Sequence, residues 1–391
     1  MERRLLAVGD IVAPSGCAYL CRQLPALQRK YEIDFTVVNG ENASMLGLTP
    51  QQAEDIFDAG ADVITMGNHT WGRRELVPYA KSCPNLLRPA NYAPQAPGHG
   101  WGIFETDFGD VAVIIPSDYM IARMADEGLL QPLNFENIPN YQYIDDNFKG
   151  LYYDPDDQYT VPYAYGIVGV IYDANVVDEA DTGSWDLLWN DAYADRIVQF
   201  NNSRDAFGTA MYKLGLDVNT TDKADWDKAY DALLAQRPLV YSYVMDEIFN
   251  MMESGEASIG AYYAGDYFTM RDAQSDNVDL QFYYPDPTNF YIDAMCIPTC
   301  AEHKDLAEIF INYMLSEEPA VANAEYTSYA SPNSLVYNSV AYQDDMGADA
   351  IAILYPELGD FAQRYNTLAY RNLDPDLLDY LNTLWENVKI N

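Results

Sequence analysis

The stretch LLAVGDIV at residues 5–12 opens an alternation of strand and helix near the start of the chain. Its apolar residues predict a buried strand. Leu20, Leu24 and Leu27 then recur at helical spacing, and Phe35 to Val38 form a second apolar run. The order strand, helix, strand indicates a parallel α/β sheet.

A second helix and a third strand continue the same pattern. Thr49 is followed by Pro50 and, three residues after the threonine, by Gln52, which is the arrangement of an N-cap with a capping box. The predicted helix runs to Gly60, and residues 63–66 are the next apolar run. The sequence therefore predicts a β-α-β-α-β layer.

Polar side chains follow each of the three predicted strands. The segments are Asp10 after the first, residues 39–42 (NGEN) after the second, and residues 67–71 (GNHTW) after the third. Such sheets place their sites at the carboxyl ends of the strands. Each residue alone is a common turn or cap residue. Together, the carboxylates, amide oxygens and imidazole are the ligands that divalent metals need.

Charge and tyrosine content divide the chain into two parts. Its 391 residues carry 22 basic and 60 acidic side chains, a net charge of −38, which argues against a nucleic-acid partner. Residues 1–114 hold 9 basic and 13 acidic side chains, whereas residues 115–391 hold 13 and 47, with 29 of the 33 tyrosines. An acidic, tyrosine-rich segment suits a cationic ligand, although a solubilising surface has the same composition.

Other features exclude several classes of protein. No apolar stretch approaches the roughly 20 residues of a membrane-spanning helix. The N-terminal residues make no convincing signal peptide, because Asp10 interrupts a short apolar run, so the chain is expected to be cytoplasmic if translated as written. Five cysteines with no matching second ligand pair predict free thiols rather than a zinc site.

The second part begins without a linker and is again α/β in pattern. An apolar run, Val111–Ile115, leads directly into it. Three further strands are predicted at 161–172, 257–263 and 292–297, and a helix at 204–214 that places Phe207, Met211 and Leu214 on one face and stops at Gly215.

Residues 4–114 resemble the first half of the small bacterial metallophosphoesterases that act as cyclic-nucleotide phosphodiesterases. The resemblance rests on VGDIV at 8–12, VNGENA at 38–43, TMGNHTW at 65–71 and RPANY at 88–92. It implies a dinuclear iron or manganese site with His69 as the general acid. The ligands it implies are Asp10, Glu41, Asn42 and Asn68. The family takes further histidines from its second half, and this chain has only three histidines, so we expect weak metal binding.

Residues 111–391 resemble the spermidine/putrescine-binding proteins of ABC importers. The motifs are IPSDYM at 115–120, GLLQPL at 128–133, VPYAYG at 161–166, SWDLLW at 184–189, AGDY at 264–267 and YIDAM at 291–295. The resemblance implies a polyamine ligand, no cofactor, the membrane subunits of an importer as partners and an extracytoplasmic location. The ligand-binding residues it implies are Ser117, Tyr119, Asp205, Tyr263, Asp266, Tyr291, Asp293 and Tyr329. One position that is usually acidic in the family is Asn202 here.

The chemistry of a polycation asks for the same residue types independently of the family. Rigid rings and carboxylates offset the cost of ordering a flexible chain and desolvating its charges. Asp293, set between apolar neighbours in a predicted strand, would be costly to bury without a cation. Any single tyrosine among so many is more often a packing residue.

Taken together, the sequence predicts an α/β chimera. A truncated metallophosphoesterase-like α/β layer occupies residues 1–114. A bilobal periplasmic-binding-protein-like (type II) fold that lacks its first strands occupies residues 115–391. The leading function is polyamine binding for an ABC importer, impaired by the missing segment. The alternatives are a metal-dependent phosphodiesterase carried by the first part and a non-functional hybrid from a gene fusion or an assembly error.

Overall fold

The computed structural model describes residues 4–67, 69–88, 97–99, 112–356 and 361–390. The chain divides into two compact units, Met1–Val111 and Ala112–Asn391. Among the described helices, none combines the length and the apolar character that a membrane span requires.

The first unit contains a parallel four-stranded sheet in the order β1-β2-β3-β4. Its strands are β1 (Leu5–Val8), β2 (Phe35–Asn39), β3 (Val63–Thr65) and β4 (Leu86–Leu87). Its helices are α1 (Ala13–Tyr31), α2 (Pro50–Asp58) and α3 (Leu76–Ser82). Buried Leu24, Val38, Ile56 and Ile64 form part of its core. The alternation of strand and helix that the sequence predicts is present.

Local sequence explains where these elements begin and end. Thr49 accepts a hydrogen bond from the Gln52 backbone N–H, and the Gln52 side chain completes the expected capping box of α2. The first strand is shorter than predicted and stops at Val8. Helix α1 begins at Ala13, with Pro14 in its first turn. Proline is favourable there because its φ is already helical and the N–H that it lacks would have no partner in the first turn.

The second unit is built on a mostly antiparallel sheet in the order β10-β5-β8-β6-β7, with β9 also paired to β5. Its strands are β5 (Thr160–Asp173), β6 (Ile197–Phe200), β7 (Val240–Val244), β8 (Ile259–Tyr263), β9 (Leu280–Tyr283) and β10 (Phe290–Cys296). The first half of the long β5 pairs with β10, and its second half pairs with β8 and β9. Strand β5 is therefore shared between the pairing with β10 and the pairing with β8 and β9.

Helices surround this sheet and supply most of the remaining core. They are α4 (Asp118–Asp126), α5 (Ser203–Leu214), α6 (Lys223–Gln236), α7 (Glu247–Ser254), α8 (Ala264–Ala273), α9 (Lys304–Met314), α10 (Glu317–Thr327), α11 (Ser334–Tyr337), α12 (Val340–Met346), α13 (Ala348–Leu354), α14 (Phe361–Leu368) and α15 (Pro375–Ile390). Trp226 and Phe207 pack with ring centroids 5.9 Å apart.

The predicted elements of the second unit are present with small shifts. Helix α5 ends at Gly215, whose φ of 65° is the left-handed conformation that glycine adopts most easily. Its Phe207 and Met211 are buried as expected, but Leu214 is exposed. In the segment predicted as the strand Val111–Ile115, Ile114 makes a single antiparallel bridge with Cys296 of β10, and Val111 lies outside the described residues.

Candidate functional site

A cavity of about 260 Å³ in the second unit collects acidic and aromatic side chains. Three carboxylates line it: Asp118, Asp205 and Asp293. Five tyrosines line it as well: Tyr119, Tyr263, Tyr291, Tyr329 and Tyr370. Ser117, Asn202, Arg204 and Asn289 complete the wall.

The structure brings together seven of the eight ligand-binding residues that the sequence implies. Around the cavity lie Ser117, Tyr119, Asp205, Tyr263, Tyr291, Asp293 and Tyr329. Asp266 does not line it. This residue lies behind Tyr329, whose hydroxyl donates to the Asp266 carboxylate at 3.0 Å.

Strand β10 positions Tyr291 and Asp293 on the same face, because alternate residues of a strand point the same way. Residue Ser117 bridges Asp293 across an antiparallel contact, and the Ser117 hydroxyl donates to Asp293 Oδ1 at 2.7 Å. Burial raises the pKa of Asp293, and the serine hydrogen bond opposes that rise. No cationic side chain among the described residues forms a salt bridge with this carboxylate.

Asp205 lies in the first turn of α5. Its backbone N–H donates to the side chain of Asn202, the N-cap residue, at 2.9 Å, and Asn202 Nδ2 donates back to the carboxylate. The Tyr263 hydroxyl donates to Asp205 Oδ2 at 3.1 Å. Burial raises the pKa of Asp205 despite these donors. Asn202, the departure from the family's acidic residue, therefore orients the neighbouring carboxylate.

Asp118 is a site residue that sequence reasoning missed. This carboxyl group, only 1% exposed, accepts from the Tyr365 hydroxyl, from Tyr119 N at 2.7 Å and from Ile292 N at 3.2 Å. Burial raises its pKa to about 7, against the effect of these donors. The signal was present in the sequence, since Asp118 stands between Ser117 and Tyr119, which were both singled out.

The tyrosine rings meet edge to face. Ring centroids of Tyr263 and Tyr291 lie 5.2 Å apart, and those of Tyr291 and Tyr329 lie 6.4 Å apart. Two glycines make room for them, because a Cβ on Gly265 would lie 2.5 Å from Tyr329 Cδ2 and one on Gly166 would overlap the Tyr291 hydroxyl. The rings therefore provide a rigid apolar surface beside the carboxylates.

One cation, Arg204, lines the cavity among the described residues. Its guanidinium lies 4.5 Å from the centre of the Tyr370 ring and donates to Val218 O and Asn219 Oδ1, both at 2.8 Å. It is thus engaged with groups other than Asp293. Neither Arg204 nor Tyr370 was identified from sequence. Tyr370 follows α14, in a part of the chain that had no recognisable motif.

Three carboxylates against one guanidinium leave the cavity with an excess of negative charge. Ammonium groups would satisfy that charge, and the tyrosine faces offer a surface for methylene groups and for cation–π contacts. The arrangement therefore suits a flexible organic cation with apolar segments.

Part of the metal-type cluster predicted in the first unit is also assembled. Asn42 Nδ2 donates to Asp10 Oδ2 at 2.7 Å, and Asn42 Oδ1 lies 2.7 Å from His69 Nδ1. The backbone N–H of His69 donates to Glu41 Oε2 at 3.2 Å. Asn68, the remaining expected ligand, lies outside the described residues.

The described side chains of this cluster are hydrogen-bonded to one another. The amide of Asn42 is turned to both Asp10 and His69, so its oxygen and that carboxylate face hydrogen-bond partners. Within the described ranges, no group of three or more His, Cys, Asp and Glu side chains has an arrangement that could hold a metal ion. Two of the four expected ligands, Asn42 and Asn68, are of another residue type, and Asn68 is not among the described residues.

Two protein-family models match different parts of the chain, in line with the division seen in its composition. Residues 6–137 match the family model described as YmdB-like protein. Residues 105–350 match the model described as bacterial extracellular solute-binding protein. The two-family origin predicted from the sequence is confirmed.

The similar proteins of known name also fall into two groups, binding proteins and a phosphodiesterase. The chain is 31% identical over 213 residues to the spermidine/putrescine-binding periplasmic protein 1 of Haemophilus influenzae, covering 54% of this chain and 58% of that protein. It is 28% identical over 226 residues to the spermidine/putrescine-binding periplasmic protein of Escherichia coli, covering 58% and 64%. It is 40% identical over 112 residues to the 2',3'-cyclic-nucleotide 2'-phosphodiesterase of Bacillus subtilis, covering 28% and 42%. The chain thus spans less than two thirds of each of these relatives.

Solved structures support the α/β fold of a periplasmic binding protein. The substrate-binding protein PotD of Streptococcus pneumoniae aligns with a TM-score of 0.64 at 22% identity, over 99% of both chains. The TpPotD lipoprotein of Treponema pallidum aligns with a TM-score of 0.61 at 18% identity, over 98% of this chain and 99% of that one. The predicted fold class is confirmed at this level, and the loss of the first strands stays a prediction.

Proposed function

Because this chain belongs to the bacterial extracellular solute-binding protein family, we propose that it binds a polyamine of the spermidine/putrescine class. The proposed ligand site is the cavity of the second unit, and the proposed role is delivery of the ligand to an ABC importer. The relatives that match this part of the chain are named as polyamine-binding proteins. The proposal extends that property to this chain.

The observation that carries the proposal is the convergence of Asp118, Asp205 and Asp293 on one cavity walled by tyrosine rings. Removing carboxylates from water costs several kcal/mol per ion unless a counter-charge replaces the lost hydration. Arg204 offsets one charge and is already bound to carbonyl and amide oxygens. A neutral solute such as a sugar would leave the remaining charge uncompensated, whereas a polyamine would neutralise it.

Titration calorimetry tests this function directly. The full chain should release or absorb heat with putrescine or spermidine and should give none with 1,4-butanediol, which has the putrescine skeleton without its charges. Binding should weaken as salt is added, since part of the attraction is electrostatic. The absence of heat with both polyamines would refute the proposal.

We further propose that the affinity is lower than that of a complete family member. The match to the solute-binding family begins at residue 105, and phosphoesterase-like sequence precedes it. Among the described residues, those that line the cavity all lie at Ser117 or later in the chain. A side-by-side titration against one of the curated relatives should give a weaker dissociation constant for this chain, and an equal or tighter one would refute the impairment.

Partners and location follow from the same proposal. The expected partners are the polyamine and the membrane subunits of an importer, and the expected location is extracytoplasmic. Cell fractionation with an antibody to the second unit tests the location, and recovery of the protein in the cytoplasm alone would contradict it.

A metal-dependent phosphodiesterase carried by the first unit is the second candidate. The contacts among Asp10, Asn42 and His69 favour it, because three expected site residues meet there. The relative that matches this part is an enzyme, but the match covers 42% of it. We therefore propose that iron or manganese binds weakly here and that hydrolysis is close to background.

A further inference from the structure

Asn289 is a buried polar residue of the cavity wall that the sequence analysis did not consider. It is 3% exposed, and its side-chain Oδ1 accepts no hydrogen bond from any residue that the structure describes. A buried acceptor without a partner has lost its hydration and gained no hydrogen bond in return, so such atoms are rare and call for an explanation. Its place on the cavity wall supplies one, because a ligand there could donate to it.

The position of Asn289 relative to the rest of the site is set by the strand. Its backbone carbonyl accepts from Val168 N of β5, so the ladder of β10 continues back to residue 289. Alternate residues of a strand share a face, and Asn289, Tyr291 and Asp293 all line the cavity. At about 3.3 Å of rise per residue, Asn289 lies about 13 Å from Asp293 along the strand, with the Tyr291 ring between them.

Asn289, Tyr291 and Asp293 present groups in an order that suits a linear polyamine. Asp293 offers a charged acceptor, Tyr291 an apolar face for methylene groups, and Asn289 a second acceptor that is uncharged. Asp205 offers another charged acceptor in the same cavity, where Tyr263 joins it to Tyr291. The cavity therefore contains more acceptor positions than a diamine has nitrogens.

We propose that Asn289 accepts a hydrogen bond from a third nitrogen of the ligand and so selects a linear triamine over a diamine. The inference rests on the proposed function and deepens it. Asp205 and Asp293 bind two ammonium groups, and Asn289 binds the additional one. An amide suits this role because it is cheaper to desolvate than a third binding carboxylate, yet it still rejects a methylene group, which cannot donate.

The test compares spermidine with putrescine by calorimetry in the wild-type chain and in Asn289→Leu, which keeps the size of the side chain and removes its acceptor. The wild-type chain should prefer spermidine. In Asn289→Leu, spermidine affinity should fall about ten- to a hundredfold, as for loss of a hydrogen bond to a charged group, and should fall by a larger factor than putrescine affinity. Thermal unfolding of the variant reports whether it is folded.

A second variant covers the case in which Asn289→Leu does not fold. Asn289→Asp keeps the acceptor and adds a charge, so it should increase the preference for spermidine over putrescine. Equal weakening of both ligands in Asn289→Leu, or an unchanged preference in Asn289→Asp, would overturn the role of Asn289 while leaving polyamine binding intact. Failure of the wild-type chain to bind either ligand would instead refute the proposed function, and this inference with it.

Discussion

Replacing Asp293 by asparagine isolates the charge of one proposed binding residue. The asparagine Oδ1 can still accept from the Ser117 hydroxyl, which lies 2.7 Å from Asp293 Oδ1. The side chain keeps its size, so the tyrosine rings around it need not move. Only the negative charge that a ligand ammonium would meet is removed.

The expected loss can be worked out from the surroundings of this carboxylate. Removing one partner of a buried, hydrogen-bonded charge pair costs about 2–5 kcal/mol. Asp293 is half-buried rather than fully enclosed, so the lower end applies. At 1.4 kcal/mol per tenfold change, about 2 kcal/mol corresponds to a roughly thirtyfold weaker dissociation constant.

Calorimetry with putrescine and spermidine provides the assay, and thermal unfolding provides the check on folding. Burial raises the pKa of Asp293, so its ionised form is penalised in the folded protein and Asp293→Asn should unfold at the same temperature or a higher one. Asp344→Asn, which removes the same charge from an exposed position on α12, is the matched control and should leave the affinity within about twofold. A change below threefold in Asp293→Asn, in a chain that binds polyamine, would refute the assignment of Asp293.

Three further outcomes are expected. The pKa of Asp118 is raised to about 7, and a cation favours the ionised form of this group, so polyamine affinity should rise between pH 6 and pH 8 with release of a proton. Asp118→Asn should flatten this pH profile. A pH-independent affinity in the wild-type chain would contradict the prediction. Gly265→Ala should lower the free energy of unfolding by about 1–3 kcal/mol and weaken polyamine binding, because the added Cβ would displace the Tyr329 ring. Unchanged stability and affinity would show that the Tyr329 ring does not pack against Gly265. Manganese should bind the chain weakly in calorimetry, and cyclic phosphodiester hydrolysis should stay near background; robust turnover lost in His69→Ala would contradict this.

The same linkage predicts how Asp118 affects folding in the absence of ligand. Its pKa is near 4 in an unfolded chain and about 7 in the folded one, so the folded state binds more protons between these values. The contribution of this group to the free energy of unfolding is therefore greatest below pH 4 and declines as the pH rises toward 7. Ligand binding and folding thus place opposite demands on the same carboxyl group.

Local sequence rules predicted the ends of elements only where a capping residue marks them. The capping box at Thr49 and Gln52 and the glycine stop of α5 depend on a few adjacent residues, so they could be found without knowledge of the fold. The apolar run at residues 5–12 was expected to be one strand, yet β1 ends at Val8 and a helix follows. Apolar character alone does not say where a strand gives way to a helix.

The site residues that the sequence missed are those whose role depends on distant partners. Asp118 is held by Tyr365, which is 247 residues away, and no local pattern reveals that contact. Arg204 is recognisable only through the carbonyls and the tyrosine ring that surround it. Two of these residues could still have been singled out, Asn289 by its alternation with Tyr291 and Asp293 along one strand and Asp118 by its place between Ser117 and Tyr119.

The residue pairs that shape the cavity determine how late in synthesis the cavity can form. Ser117 and Asp293 are separated by 176 residues, and Asp118 and Tyr365 by 247. A nascent chain on the ribosome therefore carries the α4 half of these pairs long before β10 and α14 have been synthesised. A ligand stabilises only a state that can bind it. On the proposed function, polyamine in the surrounding solution should therefore assist only the last stage of folding, after nearly the whole chain has been synthesised.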